Sequence, residues 1–190
     1  MGVASFAFFG SYIGLKKRFD LFGIFVCALL SGLGGGTLRE VILGKVPIYL
    51  TDYNYLYAII TGTIVAIFLY RNFHKMQNYF LYIDAIGLSA FAFIGAERAY
   101  SFNLSGIAIV FFALITAVGG GIIRDIAIRE IPHVFSKDFY ATPAIILGVL
   151  YAVFRNDMNN TIVSFILILS IFLLRVIAIH YKFKLWSRKN

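Results

Sequence analysis

GLGGGTLREVILGKVP at residues 32–47 and AVGGGIIRDIAIREIP at residues 117–132 carry the same plan about 85 residues apart. Around them a longer stretch recurs, with residues 4–47 matched by 88–132. Each copy places three glycines near the centre of a long apolar run. An arginine and an acid follow, Arg39-Glu40 in the first copy and Arg124-Asp125 in the second. Glycine-interrupted apolar segments in corresponding halves of a chain point to a pathway or binding site near a bilayer midplane.

Composition says why a bilayer is the right solvent. Of 190 residues, 61% are hydrophobic and only 14% charged, and the mean hydropathy is +0.86. A soluble domain of this size has too little interior to hide so much apolar surface. Runs of about 20 apolar residues cross a bilayer core as helices. Seventeen glycines and the lack of alternating polar–apolar segments favour a helical bundle over an outer-membrane barrel. The expected class is therefore an all-α integral membrane protein in contact with lipid. The net charge of +8 sits mostly in short loops and the C-terminal tail, which membrane topology requires and nucleic-acid binding does not. Cys27 is the sole cysteine and lies in an apolar run, so it reads as a packing residue.

The hydropathy pattern predicts seven helices, over 1–15, 19–43, 54–71, 79–98, 104–128, 139–155 and 161–181. Short linkers without low-complexity tracts predict one domain over 1–190. Repeat 1 covers about 1–75, repeat 2 about 79–157, and the seventh helix stands alone. With the N-terminus outside, Lys16, Lys17, Arg18, Arg71, Lys75, Arg129, Lys137, Lys182, Lys184, Arg188 and Lys189 are cytoplasmic, against Lys45, Arg98 and Arg155 outside. That bias sets the orientation, with the C-terminus cytoplasmic and Trp186 and Tyr181 at the inner interface. Helices 1–3 then start outside and 4–6 start inside, an inverted-topology pair. The first segment does not read as a secretory signal, because its basic cluster follows the apolar stretch. It is also shorter than its counterpart, so either the start is misassigned or the helix is stunted.

The triplets Gly34-Gly35-Gly36 and Gly119-Gly120-Gly121 admit two readings. They either let helices pack closely, or break the helix and free backbone groups for an ion or an anionic substrate. The matched positions favour the second. Arg39, Glu40, Arg124 and Asp125 lie within apolar segments, where charge is costly unless paired or wet, and are candidates for the pathway. Neighbours in sequence do not face each other on a helix, so each is expected to reach across to another helix; a static ion pair is the plain alternative. Weaker candidates are Ser31, Thr37 and Thr116 beside the triplets, Asp84 near the start of helix 4, and Lys45 and Arg129 at helix ends. Glu97-Arg98 is expected to be solvated, and most Phe and Tyr to face lipid. His74, His133 and His180 have no metal-ligand spacing, and neither a cofactor nor an enzymatic nucleophile–base set is expected.

Two AFA-x-x-G-type helices, Phe6-Ala7-Phe8-Phe9-Gly10 and Phe91-Ala92-Phe93-Ile94-Gly95, each lead into a GGG-x-x-R-[DE] helix. With a seventh helix after them, this closely resembles the trimeric intracellular cation channels and their prokaryotic relatives. The resemblance implies a homotrimer with a pore in each protomer, passing mainly potassium and sodium. Helices 2 and 5, kinked at the triplets, would line that pore. It also implies an alternative, because bacterial relatives are often described as small amino-acid (glycine) transporters. The residues themselves leave both functions open: a passive cation channel, or a secondary transporter of a small zwitterion held by an arginine. A prokaryotic plasma membrane is the expected location.

Overall fold

The structure, a computed structural model, describes residues 2–73, 77–136, 139–158 and 160–183. His74, Lys75, Lys137, Lys184, Trp186, Arg188 and Lys189, on which parts of the topology reading fall, lie outside the described residues, as does the Arg71 side chain. Among the described residues the chain forms α1 (Gly2–Lys16), α2 (Leu21–Ile42), α3 (Asn54–Phe73), α4 (Gln77–Ser101), α5 (Gly106–Ala127), α6 (His133–Ser136), α7 (Thr142–Val153) and α8 (Thr161–His180). A 3₁₀ turn covers Ile48–Leu50. The turn and the four-residue α6 were not anticipated, and α7 starts later than expected, after Phe139 turns the chain at φ 60°. Four helical stretches are long and apolar enough to cross a bilayer: Leu21–Ile42, Phe80–Ser101, Gly106–Ala127 and Thr161–His180. Asn54–Tyr70 and Thr142–Val153 are shorter apolar helices.

The 85-residue offset of the sequence reappears in the local chemistry that starts and stops helices. The Asp20 carboxylate caps α2 by accepting from Gly23 N–H at 2.7 Å. At the equivalent position the Ser105 hydroxyl caps α5, accepting from Ala108 N–H at 3.3 Å. Both helices run for 22 residues. Both end in the same reversal: Lys45 N–H donates to the Glu40 carbonyl at 2.8 Å, and Glu130 N–H to that of Asp125 at 2.8 Å. The residue that turns the chain is left-handed in each case, Gly44 at φ 65° and Arg129 at φ 58°. This is the six-to-one closure that satisfies orphan carbonyls at a helix end. The ends of α1 and α4 repeat the device at Arg18 (φ 59°) and Asn103 (φ 54°).

Packing follows the same correspondence. α2 and α5 cross at the centre, α1 and α4 pack on them and on each other, and α3 covers α1. α7 packs on α5 and α4, and α8 lies outside α4 and α7. Phe6 and Phe91, equivalent residues of the two copies, stack on one another with centroids 4.9 Å apart and rings 7° from parallel. The expectation that aromatics mostly face lipid is corrected at Phe6, Phe8, Phe9, Tyr12, Phe80, Phe91, Phe93, Phe112, Tyr140 and Tyr151, all buried. Ring pairs such as Tyr12–Phe80, stacked at 4.0 Å, fill space between helices that small residues bring close. Leu21, Phe22, Ile107 and Phe165 instead form part of an exposed apolar exterior.

Candidate functional site

The triplets do not break their helices, and here the sequence reading is corrected: α2 and α5 are α-helical throughout both. Two glycines of each triplet form the seam where the helices cross. A Cβ on Gly35 would lie 2.1 Å from the Thr116 carbonyl oxygen, and one on Gly120 would lie 2.3 Å from that of Ser31. Gly34 meets Gly120 Cα at 2.9 Å, while Gly119 meets Gly35 Cα at 3.4 Å. These contacts exchange partners under the offset. The helical penalty of glycine is offset by the close approach it permits, so the packing reading holds for these positions. The third glycines differ. A Cβ on Gly36 would meet only its own helix's Arg39 Nη2 at 4.0 Å, and one on Gly121 only Arg124 Nη2 at 3.8 Å and the Tyr140 hydroxyl at 3.9 Å, all side-chain tips.

Each arginine pairs with the acid beside it, the plain alternative of the sequence reading, while the expected reach to another helix is made by Arg124 and Glu40 as well. Arg124 Nε and Nη2 donate to Asp125 Oδ1 at 2.9 and 2.7 Å. Arg39 Nε donates to Glu40 Oε1 at 2.8 Å, and its Nη2 lies 2.8 Å from the same oxygen. Successive side chains on a helix point about 100° apart, but a guanidinium on three methylenes bends back far enough to close the gap. All four residues are buried, Asp125 at 1% exposure and Arg39 at 7%. A charge so placed is tolerable only when it is paired.

Around Arg124 the pairing is complete. Its Nη1 crosses the seam to Ser31 Oγ at 3.0 Å, and its guanidinium stands 5.4 Å from the Phe9 ring centroid. Asp125 Oδ2 accepts from the backbone N–H of His133 at 3.0 Å, which is what α6 positions. Nearby, the Tyr140 hydroxyl donates to Asp84 at 3.4 Å, and Arg175 of α8 packs over the Tyr140 ring at 4.9 Å. Arg175 Nη1 also donates to the Phe139 carbonyl at 3.0 Å. Arg175 and Tyr140 were missed from the sequence; the signal was a lone charge inside the apolar run 161–181.

At the other end, Arg98 Nη2 reaches Glu40 Oε2 at 3.2 Å while its side chain stays 42% exposed, a pairing added to the solvated position expected for it. Arg98 and Lys45 both lie near the Phe102 ring, at 5.1 and 5.7 Å. Thr37 Oγ1 lies 2.9 Å from the hydroxyl of Tyr49, another residue the sequence did not flag, carried on the unforeseen 3₁₀ turn. A cavity of about 260 Å³ opens here, lined among others by Gly2, Gly36, Arg39, Glu40, Tyr49 and Asn54. Arg39 Nη1, on the cavity wall, and Thr116 Oγ1, in the seam, are buried without a hydrogen-bond partner. Of the weaker candidates, Ser31, Thr37, Thr116 and Asp84 join these clusters, whereas Lys45 and Arg129 are exposed at helix ends. No group of three or more metal-ligating side chains occurs among the described residues.

The arrangement is two helices sealed at their centre by glycine, with a neutralised arginine on each side of the seal. Comparison with solved structures finds the same architecture. A TRIC cation channel superimposes with a TM-score of 0.88 at 36% identity, over 100% of this chain and 94% of that one. The chain belongs to the TRIC channel family. A prokaryotic TRIC channel solved in 0.5 M KCl matches equally well, at TM-score 0.88 and 34% identity over 97% of this chain and 94% of that one. The Rhodobacter sphaeroides orthologue matches at TM-score 0.81 and 26% identity, covering 96% and 95%. Residues 1–71 and 81–156 match the family described as Glycine transporter. Among curated relatives are the UPF0126 membrane protein of Vibrio cholerae and the UPF0126 inner membrane protein YadS of Escherichia coli. The first is 38% identical over 79% of this chain and 64% of that protein, so somewhat under two thirds of its length is spanned. The second is 35% identical over 80% and 74%. This TRIC family member is thus an all-helical integral membrane protein of bacterial type.

Proposed function

We propose that this TRIC family member is a passive channel for monovalent cations, potassium and sodium, with a path inside each protomer between α2 and α5. The observation that carries the reading is the pairing of both seam arginines with their own acids. A bare guanidinium would repel cations; Arg39–Glu40 and Arg124–Asp125 present no net charge, while Arg98 supplies the other side of Glu40. The cavity at Gly36 reaches the seal from one end, and Gly121, Arg124 and Asp84 stand in the matching place at the other. Conduction requires the seam to part, letting water and helix carbonyls replace ion hydration. The solved TRIC cation channels that the chain resembles support this assignment.

The same reading makes the chain a homotrimer in a prokaryotic plasma membrane, with α1–α3 and α4–α7 as inverted repeats of one transmembrane unit and α8 outside them. The exchange of seam contacts under the offset supports the inverted arrangement. The N-terminus is assigned outside and the C-terminus to the cytoplasm. The ion pair between Lys17 and Glu130 supports placing the α1–α2 loop and the α5–α6 loop on one side.

A second reading, a transporter of a small zwitterion such as glycine, is favoured by one feature. The cavity presents a guanidinium and a carboxylate side by side at Arg39 and Glu40, and the matched family carries a transporter description. Purified protein in a planar bilayer under a KCl gradient separates the two. Unitary currents reversing near the potassium potential establish the channel. Saturable glycine uptake into vesicles, without such currents, establishes the transporter.

A further inference from the structure

The two copies differ in the arginine bond that crosses the seam. Arg124 Nη1 donates across the seam to Ser31 Oγ at 3.0 Å. Under the 85-residue offset the equivalent bond joins Arg39 Nη1 to Thr116 Oγ1, and both atoms are buried without a partner. Ser31 Oγ also donates to the Cys27 carbonyl at 2.7 Å, but the close packing around the two hydroxyls is equivalent. Ser31 Oγ lies against Gly10 and Thr116 Oγ1 against Gly95, at 2.4 and 2.7 Å from an added Cβ. Gly35, one turn before Arg39, rests on the Thr116 carbonyl, as Gly120, one turn before Arg124, rests on that of Ser31. A donor and an acceptor left unpaired in a buried site each carry a desolvation penalty, which the equivalent bond would remove.

The two copies also differ in the acids. Arg39 is held through Nε and Nη2 by Glu40 in the same fashion as Arg124 by Asp125. Glutamate is one methylene longer than aspartate, which lets its carboxylate stand further from its own helix. That carboxylate is also drawn by Arg98 at 3.2 Å, whereas Asp125 is anchored by the backbone of His133 at 3.0 Å.

We infer that Thr116 is a second seat for Arg39, and that Glu40 and Arg98 hold Arg39 off it. Seated, Arg39 links α2 to α5 on the cavity side as Arg124 links them on the other. Seating also draws the guanidinium from the cavity wall into the seam and leaves Glu40 as the charge facing the cavity. Resting on the channel reading, the seated state is the one more permissive to cations. Thr116 acts on conduction through Arg39, as a positioning residue.

The test is a thermal double-mutant cycle on the full-length protein in detergent, using Thr116→Val, Glu40→Asp and both together. In the wild type, Thr116→Val removes an unused hydroxyl and shifts Tm by less than about 2 °C. In the Glu40→Asp background it removes a made bond and lowers Tm by about 4 °C or more, while Thr116→Ser does not. Ser31→Ala, which breaks the bond already present, lowers Tm in the wild type. Equal shifts from Thr116→Val in both backgrounds overturn the second seat. Should Glu40→Asp fail to assemble, Arg98→Gln releases the same carboxylate and the same coupling is expected. Bilayer currents separate the two readings. Raised open probability in Glu40→Asp, abolished by adding Thr116→Val, supports the role in conduction; thermal coupling with unaltered currents keeps the seat and overturns that role.

Discussion

Gly35 and Thr116 approach so closely that a methyl group on Gly35 would lie 2.1 Å from the Thr116 carbonyl oxygen. A backbone oxygen inside a helix cannot rotate away, so the obstacle is rigid. The neighbouring Gly36 has only the tip of a flexible guanidinium within 4.0 Å. The three glycines of a triplet therefore do different work.

Gly35→Ala and Gly120→Ala are expected to cost about 1–3 kcal/mol or more through overpacking against backbone. The outcome is lower Tm and reduced recovery of folded protein on size exclusion. Gly36→Ala at the matched cavity position keeps the fold and gains helix propensity of about 1 kcal/mol. Any change in its currents then reports on the pathway, which the seam variants cannot do. Comparable losses of Tm at Gly35 and Gly36 would sink this division.

Asp125→Asn leaves the Arg124 guanidinium, only 2% exposed, without its countercharge. Removing one partner of a buried pair costs about 3–5 kcal/mol. Removing both with apolar residues of similar volume, Arg124→Met with Asp125→Leu, is expected to cost less than the single change. Thermal melts of the two variants check the order.

Arg39→Gln acts on function more than on the fold. Among the described residues Glu40 keeps Arg98, half exposed, as its paired cation, so the cavity becomes more negative. Cation conductance should rise at low KCl and converge on the wild type at high KCl, where screening shortens to a few ångströms. A conductance ratio independent of salt would place Arg39 off the pathway.

Arg175→Ala releases the Phe139 carbonyl and uncovers the Tyr140 ring. The expected loss is about 1–3 kcal/mol, the scale of a buried hydrogen bond to a charged group. The Tm falls, and protease cleavage at residues 139–141 rises, because α8 otherwise ties down the chain just before α7. An unchanged cleavage pattern would show that α8 does not hold that segment.

Apolar runs, the glycine triplets and the 85-residue offset were legible along the chain because each is a property of residues near one another in sequence. Helix caps at Asp20 and Ser105 and the turns at Gly44 and Arg129 follow from the same short-range chemistry. The membrane class, the long helices and the glycines of the seam were therefore within reach of the sequence alone, whereas the short α6 and the 3₁₀ turn were not. What each of those residues touches was not. Arg39 and Arg124 bend back onto their own neighbours because long side chains trade direction for desolvation, an outcome set by how little else is polar around them. Arg98 and Glu40 are 58 positions apart, and Arg175 meets Phe139 across 36; only the packing of separate helices decides such pairs. The triplets kept their helices whole for a related reason. A glycine's freedom to bend is realised only where nothing presses on it, and at Gly35 and Gly120 the facing helix occupies that space.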